Sequence, residues 1–258
     1  MNLIQIFRTI GCIGDSLSSG EFEYDAGNGV KGYWDCYEYS WGKQIERMTG
    51  VQVTNFSRGG LTAYQLYLDA DSQTSPIQDI NMLFQKENAK QAYIIALGVN
   101  DFKGKDVLQN VYGGQIGNVK TDIVHDDFHK NPRTFVGEYA RIIQRLQSIQ
   151  HDAKFFLVTM PREAEESPLE EQFAQVIREL ARELPNCYVI DLYKDGDIYD
   201  EPFRKKYFCG HMNAMGYLYT ANKIMECMNN IIDENWTDFR YVQFIGSEYE
   251  PFGFSDAF

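Results

Sequence analysis

Three polar turns in the sequence carry residue types that suit acyl transfer. The segment GDSLS at 14–18 offers the hydroxyl of Ser16, and two later turns contain Gly60, in NFSRGGLT, and Asn100, in GVND. The tetrahedral intermediate of acyl transfer carries an oxyanion, which needs two or three fixed hydrogen-bond donors. The N–H groups of Ser16 and Gly60 and the side-chain amide of Asn100 are our candidate donors. Glycine and asparagine are also common in ordinary strand-end turns, so the turns alone leave both interpretations open.

A serine hydroxyl is a weak nucleophile at neutral pH, so this chemistry also needs a general base. Among the four histidines, His211 lies in CGHMNAMGY, a turn that leads into the last predicted helix, and it is our candidate base. His125 and His129 have a spacing that binds a metal when it falls on a helix. Their segment has little helical pattern and offers no clear third ligand. We therefore predict a serine–histidine pair and no metal site.

Hydrophobic patterns predict the elements that would position these turns. The predicted strands are short, apolar and rich in β-branched residues: Thr9–Ile13, Val51–Phe56, Tyr93–Leu97, Lys154–Met160 and Cys187–Leu192. The predicted helices between them are Tyr39–Thr49, Phe135–Ile149, Pro168–Glu183 and Met215–Ile232. Strands that alternate with helices indicate an α/β/α three-layer sandwich around a parallel sheet of about five strands. Because the three polar turns follow three successive strands, we expect them at one edge of that sheet.

Two stretches fall outside this pattern. The segment from Asp101 to about Arg133 is long, polar and rich in glycine, and we interpret it as a loop that acts as a lid or a substrate wall. The segment 236–258 is aromatic without periodicity, and sealing of the core or contact with another copy is favoured there over ligand binding. We therefore predict one catalytic domain at 1–235 and a C-terminal tail at 236–258 that packs on it.

Composition excludes several classes of protein. The chain has 258 residues, with 24 Lys and Arg against 37 Asp and Glu, a net charge of −13. This charge repels phosphate backbones, and no basic run offsets it, so we expect no nucleic-acid partner. No apolar stretch is long enough for stable membrane insertion, and the five cysteines are scattered without a C-x-x-C pair. We expect a soluble, cytoplasmic protein, with secretion left open in case a signal segment was removed.

The four blocks resemble those of the GDSL, or SGNH, hydrolases, a family of serine esterases and lipases. They are GDSL with Ser16, N-x-x-x-G-G-x-T with Gly60, G-x-N-D with Asn100, and His211 before N-x-x-G-Y, in the order of the family. The resemblance implies a flavodoxin-like sheet. It also implies that Ser16 is the nucleophile, that His211 acts first as base and then as acid, and that Gly60 and Asn100 donate to the oxyanion beside the Ser16 N–H. Supporting positions in these blocks are Asp15 and Asp101.

The chain departs from the family at two positions. Ser57 stands where the family commonly has glycine, and Phe208 stands three residues before His211, where the family usually has aspartate. That aspartate orients the imidazole and stabilises the imidazolium. We favour the Phe208 carbonyl as the acceptor of the His211 Nδ1–H. Two alternatives stay open: a chain that binds without catalysis, or a carboxylate that reaches across from elsewhere. The candidate carboxylates are Asp191, Asp195, Asp197 and Asp200.

These inferences predict a serine ester hydrolase that cleaves a small acyl or O-acetyl ester, with a carbohydrate ester as one substrate class. The acidic, aromatic-rich composition suits such a substrate better than a long acyl chain. The alternatives are a lysophospholipase-like or thioesterase-like enzyme and a non-catalytic relative that binds carbohydrate or acyl groups. The chemistry needs no cofactor, and the sequence does not indicate an oligomeric state.

Overall fold

A five-stranded parallel sheet forms the centre of the structure, a computed structural model that describes residues 1–249. Its strands are among the nine of the described residues, and the other four form two separate pairs, β2 with β3 and β8 with β9. The nine are β1 (Thr9–Gly14), β2 (Glu21–Asp25), β3 (Lys31–Asp35), β4 (Gln52–Ser57), β5 (Ala92–Ala96), β6 (Lys154–Val158), β7 (Cys187–Ile190), β8 (Phe208–Cys209) and β9 (His211–Met212). The sheet has the order β4-β1-β5-β6-β7 with all pairs parallel, which is the flavodoxin-like order. All five predicted strands are confirmed.

Helices cover both faces of this sheet and complete the three predicted layers. They are α1 (Ser16–Ser19), α2 (Trp41–Thr49), α3 (Ala63–Ser72), α4 (Gln78–Asn81), α5 (Val99–Lys103), α6 (Val107–Tyr112), α7 (Val119–Asp122), α8 (Phe135–Ile149), α9 (Pro168–Glu183), α10 (Leu192–Asp195), α11 (Glu201–Tyr207), α12 (Ala214–Glu234) and α13 (Trp236–Phe239). Short 3-10 helices lie at Leu3–Ile6, Tyr37–Tyr39, Lys86–Asn88, Phe128–Lys130 and Val242–Phe244. Helices α8 and α9 have the predicted bounds, while α2 begins two residues late because the Ser40 side chain caps it.

Alternate residues of each central strand enter two separate hydrophobic cores. Ile13 and Ile95 lie in the core beneath α3, α8 and α9, whereas Cys12, Ile94 and Phe156 lie in the core beneath α2 and α12. All five side chains are fully buried. Burial on both faces explains why these strands read as nearly continuous apolar runs in the sequence.

An antiparallel hairpin of β2 and β3, which the sequence analysis did not predict, follows the serine turn directly. Its tip contains Gly27, Asn28 and Gly29, all with positive φ. The segment EFEYD alternates polar and apolar residues as a half-buried strand does, so the signal was present. Phe22 anchors the hairpin by packing against Tyr217, with ring centroids 5.4 Å apart.

The prediction that residues 101–133 form a loop is wrong. The segment carries α6, α7, most of α5 and a 3-10 helix, and Tyr112, Val119 and Ile123 are buried in the core beneath α8. Its glycines end or separate short helices, which is why no long helical period is visible in the sequence. Because Tyr112, Val119 and Ile123 are buried in the core, the central part of this segment packs as part of the domain.

The described part of the C-terminal tail lies against the core beneath α12. Phe239, Val242 and Ile245 are buried there, and the Phe239 ring stacks on Phe156 with centroids 6.1 Å apart. The remainder of the predicted tail, with Phe252, Phe254 and Phe258, falls outside the described residues. Among residues 1–249, no helix has the length and apolar character needed to cross a membrane.

Candidate active site

Ser16 lies on the turn between β1 and α1, at the carboxyl edge of the sheet. Strand β1 ends at Gly14, where a Cβ atom would lie 2.1 Å from the Ser18 Oγ, so only glycine fits there. Asp15 caps the short helix, since its Oδ1 accepts a hydrogen bond from the Leu17 N–H at 3.1 Å. This local geometry leaves Ser16 partly exposed at the start of α1.

His211 meets Ser16 from the other end of the chain. The residue begins β9, directly after Gly210, whose φ of +76° allows a tight turn from β8. Asn213 then caps helix α12, since its side chain accepts a hydrogen bond from the Gly216 N–H at 3.0 Å. The His211 Nε2 lies 3.2 Å from the Ser16 Oγ. The residues predicted to be the nucleophile and the base are therefore within hydrogen-bond reach of each other.

The two turns that carry the candidate oxyanion donors are tied to each other. The Asn100 side-chain amide donates a hydrogen bond to the Leu61 carbonyl at 3.0 Å, and the buried Asp101 carboxylate accepts from the Ala63 N–H at 3.1 Å. Gly60, the residue before Leu61, has a left-handed conformation, with φ of +75°. One Asn100 N–H thus holds the Gly60 turn.

Two buried carboxyl groups support these turns. Burial raises the pKa of Asp15 to about 7 and that of Asp101 to about 6. Asp101 also accepts a hydrogen bond from the Tyr112 hydroxyl, so its carboxylate joins α5, α6 and the start of α3. Their contacts are with the backbone and with Tyr112 rather than with the Ser16 hydroxyl.

Ser57, the first departure from the family pattern, is accommodated inside the sheet. Its hydroxyl donates to the Cys12 carbonyl at 3.0 Å, and its N–H donates to the Asn55 side chain at 2.9 Å. The residue is fully buried at the end of β4, where its hydroxyl and its N–H both have hydrogen-bond partners. The serine therefore leaves the Gly60 turn in place.

The prediction for Phe208 is wrong. The His211 Nδ1 is buried and has no hydrogen-bond partner in residues 1–249, so the Phe208 carbonyl does not accept its proton. The physical reason is the tight turn at Gly210, because it pairs Phe208 with Met212 across β8 and β9 and directs the other ring nitrogen toward Ser16.

Three of the other candidate carboxylates are engaged elsewhere. Asp191 forms an ion pair with Arg178 at 2.8 Å, Asp197 accepts from the Tyr219 hydroxyl, and Asp200 caps α11. Asp195 ends α10, and none of the four contacts His211 within the described residues.

The remaining histidines lie away from this site. His125 faces Glu183 at 3.4 Å, the His129 ring packs at a tilt against Phe128, and His151 contacts its neighbour Asp152. Within residues 1–249, no group of three His, Cys, Asp or Glu side chains is arranged to hold a metal ion.

The hairpin brings to the site an acidic side chain, that of Glu21, which the sequence analysis did not predict there. The Glu21 Oε1 lies 3.0 Å from the His211 Nε2, and Tyr33 from the second hairpin strand meets the imidazole edge-on at 5.6 Å. Burial, reinforced by the nearby Asp35 charge, raises the pKa of Glu21 to about 7. Burial also lowers the pKa of His211, against the opposing effect of the carboxylates of Glu23 and Asp35. The alternation of polar and apolar residues in EFEYD is the sequence signal that could have placed Glu21 on a half-buried strand.

The three-layer fold and the groups gathered at its carboxyl edge define the class of protein, a carboxylic ester hydrolase. The chain belongs to the GDSL-like lipase/acylhydrolase family, whose model matches residues 12–218. The family to which the sequence blocks pointed is thereby confirmed.

Solved structures with the same fold include enzymes that act on esters. A family two carbohydrate esterase from Clostridium thermocellum, in complex with cellohexaose, is 14% identical with a TM-score of 0.58, over 88% of this chain and 65% of that one. Esterase EstA from Pseudoalteromonas sp., inhibited by monoethylphosphonate, is 14% identical with a TM-score of 0.52, over 88% and 99%. A protein assigned to the G-D-S-L family of lipolytic proteins from Desulfitobacterium hafniense is 17% identical with a TM-score of 0.54, over 85% and 99%. No curated protein sequence matches the chain significantly.

Proposed function

We propose that the protein is a serine esterase that works through an acyl-enzyme on Ser16, with His211 as its base. The single observation that carries this proposal is the 3.2 Å contact between the Ser16 Oγ and the His211 Nε2. Gly60 and Asn100, on the turns after β4 and β5, add hydrogen-bond donors at the same edge. A nucleophile, a base and oxyanion donors are the parts that acyl transfer needs.

The reaction proceeds in two stages. The Ser16 Oγ attacks the ester carbonyl while the His211 Nε2 takes its proton, and the carbonyl electron pair becomes an oxyanion. The N–H groups of Ser16 and Gly60 and the Asn100 amide stabilise that oxyanion. His211 then gives its proton to the departing alcohol, which leaves the acyl group on Ser16. Water, deprotonated by His211, releases the acid in the second stage, so no cofactor is required.

A small acyl or O-acetyl ester, on a small molecule or a carbohydrate, is the substrate class we propose. Tyr33, Trp34 and Tyr39 expose half or more of their surface on and beside the hairpin, and aromatic faces of this kind suit sugar rings. The fold shared with a family two carbohydrate esterase is consistent with this class.

Covalent labelling tests the proposed chemistry. A fluorophosphonate probe is expected to form a stable adduct on Ser16 of the purified protein, because the attacking oxygen and the oxyanion donors serve phosphonylation as they serve acylation. Peptide mass spectrometry identifies the labelled residue, and denatured protein is the control. Absence of an adduct, while a ligand such as an acetylated sugar still binds, would instead support the non-catalytic relative.

A series of p-nitrophenyl esters tests the proposed acyl length. We expect kcat/KM for the acetate to exceed that for the octanoate by about tenfold or more, since the proposed substrate carries a short acyl group. The same ordering should hold for acetyl and octanoyl esters of one sugar alcohol. A preference for octanoate would contradict the short-acyl proposal and favour a lysophospholipase-like or thioesterase-like enzyme.

A further inference from the structure

We propose that Glu21 is the acidic positioning residue of this site and stabilises the imidazolium of His211 in place of the aspartate that is absent at Phe208. The inference rests on the proposed function, because it concerns the same serine–histidine pair. Its basis is geometric. The Glu21 Oε1 lies 3.0 Å from the His211 Nε2, and this nitrogen also contacts the Ser16 Oγ at 3.2 Å.

Several contacts hold Glu21 at this position. Gly20, with φ of +75°, turns the chain from α1 directly into β2, so the carboxylate lies only five residues after the nucleophile. The Tyr217 hydroxyl donates to the Glu21 backbone carbonyl at 2.7 Å. A Cβ atom on Gly59 would lie 2.1 Å from the Glu21 Oε2, so the glycine leaves the space that the carboxylate occupies. The side chain is therefore held by its backbone and by the shape of the neighbouring turn.

The unpartnered Nδ1 shows why a carboxylate at the other nitrogen matters. In serine hydrolases with a Ser-His-Asp triad, the aspartate accepts a hydrogen bond from the histidine Nδ1–H and stabilises the positively charged ring. The His211 Nδ1 has no acceptor within residues 1–249, so the imidazolium lacks that stabilisation. When the Ser16 proton moves to Nε2, the new N–H lies beside the Glu21 carboxylate, and a charge-assisted hydrogen bond forms. No proton passes to Glu21 in this step, because the departing alcohol receives it from Nε2.

Because the Glu21 Oε1 and the His211 Nε2 lie 3.0 Å apart, we expect these two groups to share one proton, within charged surroundings. The hairpin places Glu23, Lys31, Tyr33 and Asp35 around the ring, and Glu23 forms an ion pair with Lys31 at 2.7 Å. The buried Asp15 faces Glu21 from the serine turn.

One proton on the pair blocks catalysis whether it resides on nitrogen or on oxygen, because the Nε2 lone pair is then occupied. The pair loses this proton as the pH rises, so activity appears on the alkaline side of the pair's apparent pKa. We expect removal of the Glu21 charge to lower the pKa of His211, because a carboxylate 3.0 Å from the Nε2 favours the protonated ring.

The test is the pH dependence of kcat/KM for p-nitrophenyl acetate in the variant Glu21→Gln. We expect its acid limb to move to lower pH by about one unit, because a neutral amide no longer favours the charged imidazole across a partly exposed contact. We also expect the plateau of kcat to fall about tenfold, since the amide stabilises imidazolium less. The matched control is Asp25→Asn, which removes the same charge from the exposed end of β2 and should leave the acid limb unchanged.

A second variant displaces the carboxylate without removing it. Gly59→Ala places a methyl group where the Glu21 Oε2 lies, and we expect its acid limb to move in the same direction by a smaller amount. If the Glu21→Gln variant does not fold, the Gly59→Ala variant still tests the role of Glu21. An acid limb that coincides with that of the wild type in the folded variants would overturn the role of Glu21. Failure of the proposed function is a separate result, in which the fluorophosphonate probe leaves wild-type Ser16 unlabelled.

Discussion

Replacement of Ser16 by alanine is expected to lower kcat/KM for p-nitrophenyl acetate by about 10⁴-fold or more. The alanine cannot form the acyl-enzyme, and the His211 Nε2 loses the hydroxyl that lies 3.2 Å away. The oxyanion donors remain, so a small residual rate from water attack is expected. Steady-state kinetics over a range of substrate concentrations measure the loss.

The neighbouring Ser18 provides the matched control. Its hydroxyl is two residues along the same short helix, is fully buried and has no hydrogen-bond partner within residues 1–249. Ser18→Ala should therefore keep turnover within about threefold of the wild type, because no hydrogen bond is lost. If Ser16→Ala hydrolyses the ester at the wild-type rate, or if Ser18→Ala alone abolishes turnover, Ser16 is not the nucleophile.

The parts of the fold that the sequence predicted are those that local patterns determine. Helix α8 has the predicted bounds because Thr134 caps it and because five residues at helical spacing line one face. Those residues, Phe135, Tyr139, Ile142, Ile143 and Leu146, are all fully buried. The central strands were predictable because both of their faces are apolar. The strand order agrees with the flavodoxin-like sheet that the family resemblance implied, and it brings three polar turns to one edge.

The acidic partner of His211 was not predictable in the same way. The sequence points to Phe208 and to four aspartates upstream of it, whereas the carboxylate that contacts His211 is that of Glu21, on a hairpin beside the serine turn. The pattern of EFEYD indicates a strand, but only the pairing of β2 with β3 and the packing of Phe22 on Tyr217 direct its polar face toward the imidazole. Contacts of this kind depend on tertiary structure, which no local motif encodes.

Asn100→Ala is expected to reduce kcat by 10² to 10³-fold, roughly the effect of losing one oxyanion donor, with KM changed by less than about threefold. The amide is held in place before substrate arrives, because one of its N–H groups donates to the Leu61 carbonyl at 3.0 Å. The second N–H contributes mainly when the carbonyl oxygen gains charge, so its loss raises the barrier more than it weakens ground-state binding. Separate values of kcat and KM from steady-state kinetics test this expectation.

The substitution also removes the tie to Leu61, so the experiment must separate catalysis from support of the Gly60 turn. Asn222→Ala is the matched control, because the Asn222 amide also donates to a backbone carbonyl, that of Leu218 at 2.8 Å, on an exposed face of α12. It should leave kcat and KM unchanged. A displaced turn would weaken substrate binding and the transition state together, so a rise in KM that accounts for the whole loss would show that Asn100 only supports the turn. A fall confined to kcat would identify the amide as a donor to the oxyanion.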